Sequence, residues 1–278
     1  MKPVLPRIAI QGFEGSFHQS AANHFFGGVE IIPCATFREV IKVSENKKIS
    51  EGGIMAIENS IAGSILPNYS LLQKSNLRIV GEIYLHIRQN LLVNPGIKLS
   101  DIKEVHSHPI ALLQCLDFLD KHNWKLVETD DTAFSAKHVH QTRSKHIAAV
   151  AGNLAAKLYG LEILVPNIQT MKSNFTRFLV LDRKENNKMV EDANKASVSF
   201  YTDHSRGSLA KVLTKISDCG INLSKLQSVP IQGSDWKYSF HADMEFEQQS
   251  QFDKAIKKIE ALTAEIKILG VYQKGRTI

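Results

Sequence analysis

The chain has 278 residues, of which 43% are hydrophobic and 22% charged, a composition typical of a globular protein with about two domains. Its formal charge of +6 favours anionic partners, but the basic residues form no run of five or more, which argues against nucleic acid binding. Because the three cysteines (Cys34, Cys115 and Cys219) lack metal-type spacing and no apolar run is long enough for a membrane span, we expect free thiols, a cytoplasmic location and no membrane partner.

Short apolar strands alternate with amphipathic helices in the first part of the chain. Ser16 is the predicted N-cap of a helix over 17–26, and Thr36 is the predicted N-cap of a second helix. The apolar runs at 8–10 and 54–57 predict strands, and 79–93 predicts one long strand or a strand pair. This alternation favours an α/β fold with mainly parallel sheets.

The same alternation continues after Pro109, which lies near the first turn of a predicted helix. That helix carries apolar residues at intervals of three, namely Ile110, Leu113, Leu116 and Leu119. A strand at 125–127, a helix at 133–139 and a strand at 147–150 follow.

The pattern changes near Asp182, where the polar stretch 182–195 reads as a linker. Beyond it, a strand at 198–201 and a helix through Leu209, Val212, Leu213 and Ile216 precede a strand at 221–229. Strict alternation from Trp236 to Phe246, a helix over 252–262 and a strand over 266–271 complete the unit. The order βαββαβ predicts a ferredoxin-like domain of about 80 residues.

Several short segments occur along the chain in a fixed order. They are Gly12-Phe13-Glu14-Gly15-Ser16, Ile57-Glu58-Asn59-Ser60, Ser107-His108-Pro109, Gln114-Cys115, Thr132-Ala133 and Asn174-Phe175-Thr176-Arg177-Phe178. Each segment alone is weak evidence for a family. Together, in this order, they resemble the prephenate dehydratase family over essentially the whole length of the chain. The first segment departs from the family loop, because Phe13 replaces a Pro and Ser16 replaces a Thr.

This resemblance implies a fold, boundaries and an activity. It implies a catalytic domain at 1–183, made of two α/β subdomains around a cleft like a type 2 periplasmic binding protein, a linker at 184–195 and an ACT domain at 196–278. It also implies conversion of prephenate to phenylpyruvate in phenylalanine biosynthesis, with no cofactor and no metal. The implied catalytic residues are Thr176, Arg177, Asn59, Ser107 and Gln114, and the implied substrate contacts are Glu58, Ser60, Thr132 and Phe178.

The resemblance further implies feedback by L-phenylalanine in a homodimer or homotetramer. The implied effector residues are Gly207, Ser208 and Leu209 at a helix start and Gln227 and Ser228 on the next strand. Here the chain departs from the family's Glu-Ser-Arg-Pro segment, because Gln227 replaces the Glu and Val229 replaces the Arg. Loss of these two charges predicts an altered coupling between the effector and the cleft.

Other interpretations stay open at the level of sequence. Thr176-Arg177 alone is ordinary for an edge strand, and the histidines at 106, 108, 138 and 140 are more typical of solvated or core positions than of a metal site. A non-catalytic amino-acid-binding protein could use the same architecture. Arogenate, which carries an amino group where prephenate has a keto group, is an alternative substrate. Whether Glu58 donates a proton is also open.

Overall fold

The computed structural model describes residues 4–186, 190, 192–203, 205–231 and 237–278. The predicted strand position Trp236 and residues 187–189 and 191 of the predicted linker lie outside them. The described strands are β1 (Arg7–Gln11), β2 (Glu30–Cys34), β3 (Gly52–Asn59), β4 (Gly63–Ser64), β5 (Leu77–His86), β6 (Asn90–Val93), β7 (Glu104–Ser107), β8 (Lys125–Glu128), β9 (Ile147–Ala151), β10 (Glu162–Val165), β11 (Phe175–Arg183), β12 (Lys195–Tyr201), β13 (Asn222–Pro230), β14 (Tyr238–Glu245) and β15 (Glu265–Tyr272). The described helices are α1 (Phe17–Phe26), α2 (Phe37–Glu45), α3 (Leu66–Lys74), α4 (Pro109–Leu113), α5 (Leu116–Leu119), α6 (Thr132–Thr142), α7 (Asn153–Tyr159), α8 (Ser208–Ser217) and α9 (Gln249–Glu260).

Both predicted helix caps are confirmed. Ser16 Oγ accepts a hydrogen bond from the Gln19 amide at 3.3 Å, and Thr36 Oγ1 accepts one from the Glu39 amide at 3.2 Å. Each cap satisfies one of the backbone N–H groups that a first helical turn leaves without an intrahelical partner. The two helices therefore begin where these local signals place them.

The predicted apolar helix face after Pro109 is wrong. The first helix ends at Leu113 with Gln114 as its C-cap, and a new one starts after Cys115, whose backbone leaves the helical region (φ −113°, ψ 8°). The residues that α4 buries are Ala111 and Leu112, whereas Ile110 and Leu113 are 44% and 63% exposed.

The strands form three sheets. The first has the order β2-β1-β3-β11-β5 with β4 beside β3, the second β10-β6-β9-β7-β8 and the third β13-β14-β12-β15. The region 79–93 holds β5 and β6, which belong to different sheets rather than to one pair. In the first two sheets, β1 runs parallel to β2 and β3, and β7 runs parallel to β8 and β9. The predicted α/β class is confirmed.

The structure divides into two compact units. The first comprises the described part of Met1–Ser64, with Ile83–Phe178 and Thr277–Ile278, and the second comprises Ile65–Glu82 and the described part of Leu179–Arg276. Each predicted domain is one continuous stretch of sequence. The second unit, in contrast, also contains segment 65–82, which lies in the sequence between two parts of the first unit. The boundaries at 183 and 196 stay a prediction.

In the first unit, the second sheet is buried on both faces. Leu91 and Val150 belong to a cluster with residues of α4 and α5, while Leu92 and Ala149 belong to a cluster with α6 and α7. Successive side chains of a strand point to opposite faces, so a sheet covered by helices on both sides needs apolar residues at consecutive positions. This explains the continuous apolar runs at 91–93 and 147–151.

In the second unit, β12 to β15 with α8 and α9 have the predicted βαββαβ order. The helices cover one face of the sheet through an apolar cluster that includes Phe200, Ile216 and Met244. The opposite face is polar yet buried, and its residues bond to segment 65–82. The Gln73 amide donates to Ser199 Oγ at 2.7 Å, and Lys195 Nζ, 1% exposed, lies 2.9 Å from the Glu82 carboxylate. Among the described residues, no helix has the length and apolarity needed to cross a membrane.

Candidate active site

Two strand ends bring Asn59 and Thr176 together, although 117 positions separate them in the sequence. Asn59 is the last residue of β3, and Thr176 is the second residue of β11. Asn59 Nδ2 lies 3.0 Å from Thr176 Oγ1, 3.1 Å from the Phe175 carbonyl and 2.7 Å from Asn174 Oδ1. Two residues that the family resemblance places in one catalytic set therefore share one hydrogen-bond network.

The orientation of the Asn59 amide is determined by its own turn. Asn59 Oδ1 accepts hydrogen bonds from the Ile61 and Ala62 amides at 3.0 and 2.9 Å. A backbone N–H can only donate, so the oxygen faces the turn and the NH₂ group faces Thr176. Thr176 Oγ1 is then an acceptor toward Asn59, and no group in the described part of the chain accepts its proton. The Thr176 hydroxyl is thus set to donate.

Gln114 joins this network through Asn174. Asn174 Nδ2 donates to Gln114 Oε1 at 2.9 Å, and Asn174 itself is fully buried. Because the Gln114 oxygen is occupied, its NH₂ group is the part left to bind a further partner. Sequence reasoning placed Asn174 in the signature segment but assigned it no role.

Ser107 and Thr132 lie on the second sheet and its helix. Ser107, at the end of β7, is fully buried, and its hydroxyl donates to the Val150 carbonyl at 2.6 Å. Thr132 is the first residue of α6 and is half-buried. Within the described ranges, no hydrogen bond joins either residue to Thr176. Their assignment to substrate contact stays a prediction.

Arg177 and Phe178 extend from opposite faces of β11, as successive strand residues do. Phe178 is buried and meets the His18 ring edge-on, with centroids 5.0 Å apart. Arg177 is only 4% exposed, and its guanidinium carbon lies 5.9 Å from the centre of the Tyr84 ring. The strand therefore turns the guanidinium away from the face that carries Thr176 and Phe178.

Ser60 and Glu58 flank Asn59. Ser60 Oγ accepts from the Phe175 amide at 2.9 Å, and the Ser60 amide donates to the Phe175 carbonyl at 2.8 Å. These bonds fix the start of β11 beside the end of β3. Glu58 is half-buried at the penultimate position of β3.

The loop at 12–16 lies against the helices of the second sheet. The Phe13 and Phe134 rings are 5.3 Å apart, and the Tyr159 hydroxyl donates to the Glu14 carbonyl at 2.7 Å. Gly12 has φ +93°, and a Cβ built there would lie 2.7 Å from an Asp131 carboxylate oxygen. Only glycine combines this backbone conformation with so close a contact.

Asp131 is a second residue that sequence reasoning missed. Its Oδ1 caps α6 by accepting from the Ala133 and Phe134 amides at 2.7 and 3.0 Å. Burial raises the pKa of the Asp131 carboxyl above its usual range, and these two bonds partly oppose the shift. The sequence did contain a signal, because Asp before Thr-Ala is a standard N-cap.

The predicted effector residues lie in the second unit. Gly207 has φ +80° and precedes α8, and Ser208 Oγ donates to the Asp203 carbonyl at 2.7 Å. Leu209 packs against the apolar cluster under the sheet. Gln227 and Ser228 lie on β13, an edge strand, where the Gln227 amide donates to the Ser228 carbonyl at 2.9 Å.

The histidines considered as metal ligands have other contacts. The His106 and His138 rings stack with centroids 5.7 Å apart, and His106 Nε2 lies 3.1 Å from the Glu104 carboxylate. Among the described residues, no group of three or more His, Cys, Asp or Glu side chains is arranged to hold a metal ion.

The chain is similar to known proteins in both sequence and structure. A family model described as prephenate dehydratase matches residues 8–186. Arogenate dehydratase 2 of Petunia hybrida is 35% identical over 281 residues, which cover 96% of this chain and 71% of that protein. The structure of prephenate dehydratase from Arthrobacter aurescens in complex with L-Phe has a TM-score of 0.85 at 26% identity, covering 96% of this chain and 90% of that one. GqqA, described as a novel type of quorum quenching acylase, has a TM-score of 0.87 at 30% identity, covering 96% and 98%.

Proposed function

This chain belongs to the prephenate dehydratase family, and from that premise we propose that it converts prephenate to phenylpyruvate without a cofactor. The observation that carries the proposal is the Thr176 hydroxyl, which accepts from Asn59 at 3.0 Å and keeps its own proton to donate. The hydrogen-bond donors around Thr176 suit a reaction in which carbon dioxide and hydroxide leave the substrate.

Prephenate carries two carboxylates and a ring hydroxyl. When the ring carboxylate leaves as carbon dioxide, the electron pair of the broken C–C bond forms a ring double bond and expels hydroxide. The hydroxide takes up a proton and leaves as water, and aromatisation supplies the driving force. The protein therefore has to hold a dianion and stabilise the departing oxygen.

Preorganised hydrogen-bond donors suit that task. The Thr176 hydroxyl and the Gln114 NH₂ group are both left as donors by their fixed partners. A single donor aimed at a developing oxyanion contributes roughly 10²–10³ in rate. We assign Thr176 to the departing hydroxyl and Gln114 to a substrate oxygen. Asn59 holds Thr176, while Ser107, Thr132, Glu58 and Ser60 complete the proposed binding surface.

The decisive experiment offers purified protein both prephenate and arogenate with no added cofactor. Phenylpyruvate and phenylalanine are measured separately, which also decides the preferred substrate. We expect turnover of prephenate that Thr176→Ala lowers by roughly 10²–10³. The matched control is Thr142→Ala, which removes an exposed hydroxyl at the end of α6. Failure of wild-type protein to turn over either substrate would refute the proposal.

An acylase is the second candidate, because the structure of GqqA matches over 96% of this chain with a TM-score of 0.87. Acyl transfer needs a nucleophile or an activated water, whereas the Thr176 hydroxyl contacts an amide and, among the described residues, no general base. Incubation of the same preparation with an N-acyl amide decides between the two. Release of the free acid that survives Thr176→Ala would favour an acylase that uses a different site.

We further propose that L-phenylalanine is an allosteric effector bound by the second unit of a homodimer or homotetramer. The Arthrobacter aurescens relative was solved with L-Phe, and Gly207 exposes the start of α8, where backbone N–H groups favour a carboxylate. Calorimetric titration with phenylalanine, light scattering and assays at saturating phenylalanine test this together. Absence of both heat and inhibition at millimolar concentration would contradict it. A cytoplasmic location also stays a prediction.

A further inference from the structure

Asn174 uses both ends of its side chain inside the site. Its Oδ1 accepts from Asn59 at 2.7 Å, and its Nδ2 donates to Gln114 at 2.9 Å. The residue is fully buried, so each of these groups would cost free energy if left without a partner. Asn174 thus connects Asn59, which holds Thr176, to Gln114.

The side chains of Asn59, Asn174 and Gln114 form a series of hydrogen bonds, whose direction is fixed at the Asn59 end. The Ile61 and Ala62 amides can only donate, so they bind the oxygen of Asn59. The NH₂ of Asn59 then faces the oxygen of Asn174, and the NH₂ of Asn174 faces the oxygen of Gln114. Each amide determines the orientation of the next, because reversing one would place two donors or two acceptors together.

We infer that Asn174 is a positioning residue that makes Gln114 present its NH₂ group, rather than its oxygen, to the substrate. This inference rests on the proposed function, in which the ligand is a dianion that needs donors. An inverted Gln114 would offer an acceptor to a carboxylate or to a departing hydroxide, and this contact is repulsive.

Asn174→Asp tests the inference, since the two side chains have nearly the same shape. An ionised Asp can accept from Asn59 but cannot donate to Gln114, so Gln114 turns its NH₂ inward and its oxygen toward the substrate. A protonated Asp can donate again. Burial among uncharged amides raises the pKa of a carboxyl, so we expect protonation to begin as the pH falls toward about 5.

The measured quantity is the ratio of variant to wild-type kcat/KM across the pH range. We expect the ratio to be below about one tenth at pH 8 and to rise several-fold as the pH falls toward 5. The control Asn46→Asp makes the same chemical change at an exposed site and should give a flat ratio. A ratio for Asn174→Asp that is lowered equally at every pH would mean a merely structural role and would overturn the inference.

Gln114→Glu provides an independent variant that leaves Asn174 in place. Its carboxylate still accepts from Asn174 but has no outward donor. We expect kcat/KM to fall at least tenfold, and activity within threefold of wild type would also overturn the inference.

A second readout does not depend on turnover. In nitrogen-edited NMR, the Gln114 side-chain NH₂ signals should shift with pH in Asn174→Asp and stay constant in wild type and in Asn46→Asp. If neither prephenate nor arogenate is turned over but these signals shift, the hydrogen-bond chain is correct and the proposed reaction is wrong. If turnover is seen but the signals do not shift, the inference about Asn174 is wrong.

Discussion

His18 provides a quantitative test of how the first unit is packed. It lies on α1 with its ring 5.5 Å from Phe37 and 5.0 Å from Phe178, and its Nε2 accepts from the Ala56 amide at 3.3 Å. Burial lowers the pKa of His18 from 6.5 to about 3. The imidazole is therefore neutral in the folded state at physiological pH, with its proton on Nδ1.

This shift has a definite consequence for stability. The folded-state pKa lies below the unfolded one, so as the pH falls through 6.5 the unfolded chain gains a proton that the folded chain does not. The free energy of unfolding should therefore fall by about 2 kcal/mol between pH 7 and pH 5 from this residue alone. The loss continues until the pH reaches about 3, where the folded state is protonated as well.

His18→Gln removes the titration while keeping an acceptor for the Ala56 amide. Urea unfolding of wild type and variant at pH 7 and pH 5 isolates the effect, because all other titrating groups are common to both proteins. We expect the variant to be less stable at pH 7, since it loses the ring contacts, but to lose about 2 kcal/mol less than wild type on acidification. His140→Gln, an exposed exchange on α6, is the matched control. Parallel losses in wild type and His18→Gln would show that the imidazole is not held neutral, and the reasoning would fail.

Three further substitutions test the site. Thr176→Ala should lower kcat by roughly 10²–10³ with normal folding, while Thr176→Ser should keep part of the activity because a hydroxyl survives. Steady-state assays measure both, and an Ala variant with activity within threefold of wild type would contradict the role of Thr176 as a hydrogen-bond donor. Arg177→Lys should lower the thermal unfolding temperature and leave KM nearly unchanged, since the buried guanidinium lies over the Tyr84 ring. A tenfold rise in KM at unchanged stability would instead show that Arg177 binds the substrate. Asp131→Asn keeps the helix cap and removes a carboxylate whose pKa is raised by burial, so the variant should be more stable than wild type at pH 7. The advantage should disappear as the pH falls and the wild-type carboxyl is protonated in both states, a comparison that urea unfolding at pH 7 and pH 4 makes directly.

Local signals in the sequence determined where α1 and α2 begin and the order of the elements in the second unit. Ser16 and Thr36 bond to amides three residues ahead, so the cap and the helix it starts lie in one short window. The spacing of α8 likewise records its buried face. The alternation of β14 records which face joins the apolar cluster, but the polar face with Ser239 and Asp243 is buried as well. For the same reason, the βαββαβ order of the second unit could be predicted without any long-range information.

Prediction from the sequence was wrong where one local pattern is compatible with two different structures. The apolar residues after Pro109 fit one helix, but the helix is interrupted at Cys115. The part before the interruption also leaves Ile110 and Leu113 exposed. Segment 65–82 reads as part of the alternating first half, yet Gln73 and Glu82 bond to the polar face of the third sheet. Nothing local distinguishes these outcomes, because the partners lie far away in the chain.

The motif order predicted that Asn59, Gln114 and Thr176 belong to one site, and only the tertiary structure decided how they meet. Asn59 reaches Thr176 across 117 positions, and Asn174 reaches Gln114 across 60. The direction of those bonds depends on two backbone amides at 61 and 62 that admit a single orientation of Asn59. A sequence records which groups can donate or accept, but which group each one faces is set by the packing of strands that are distant in the chain.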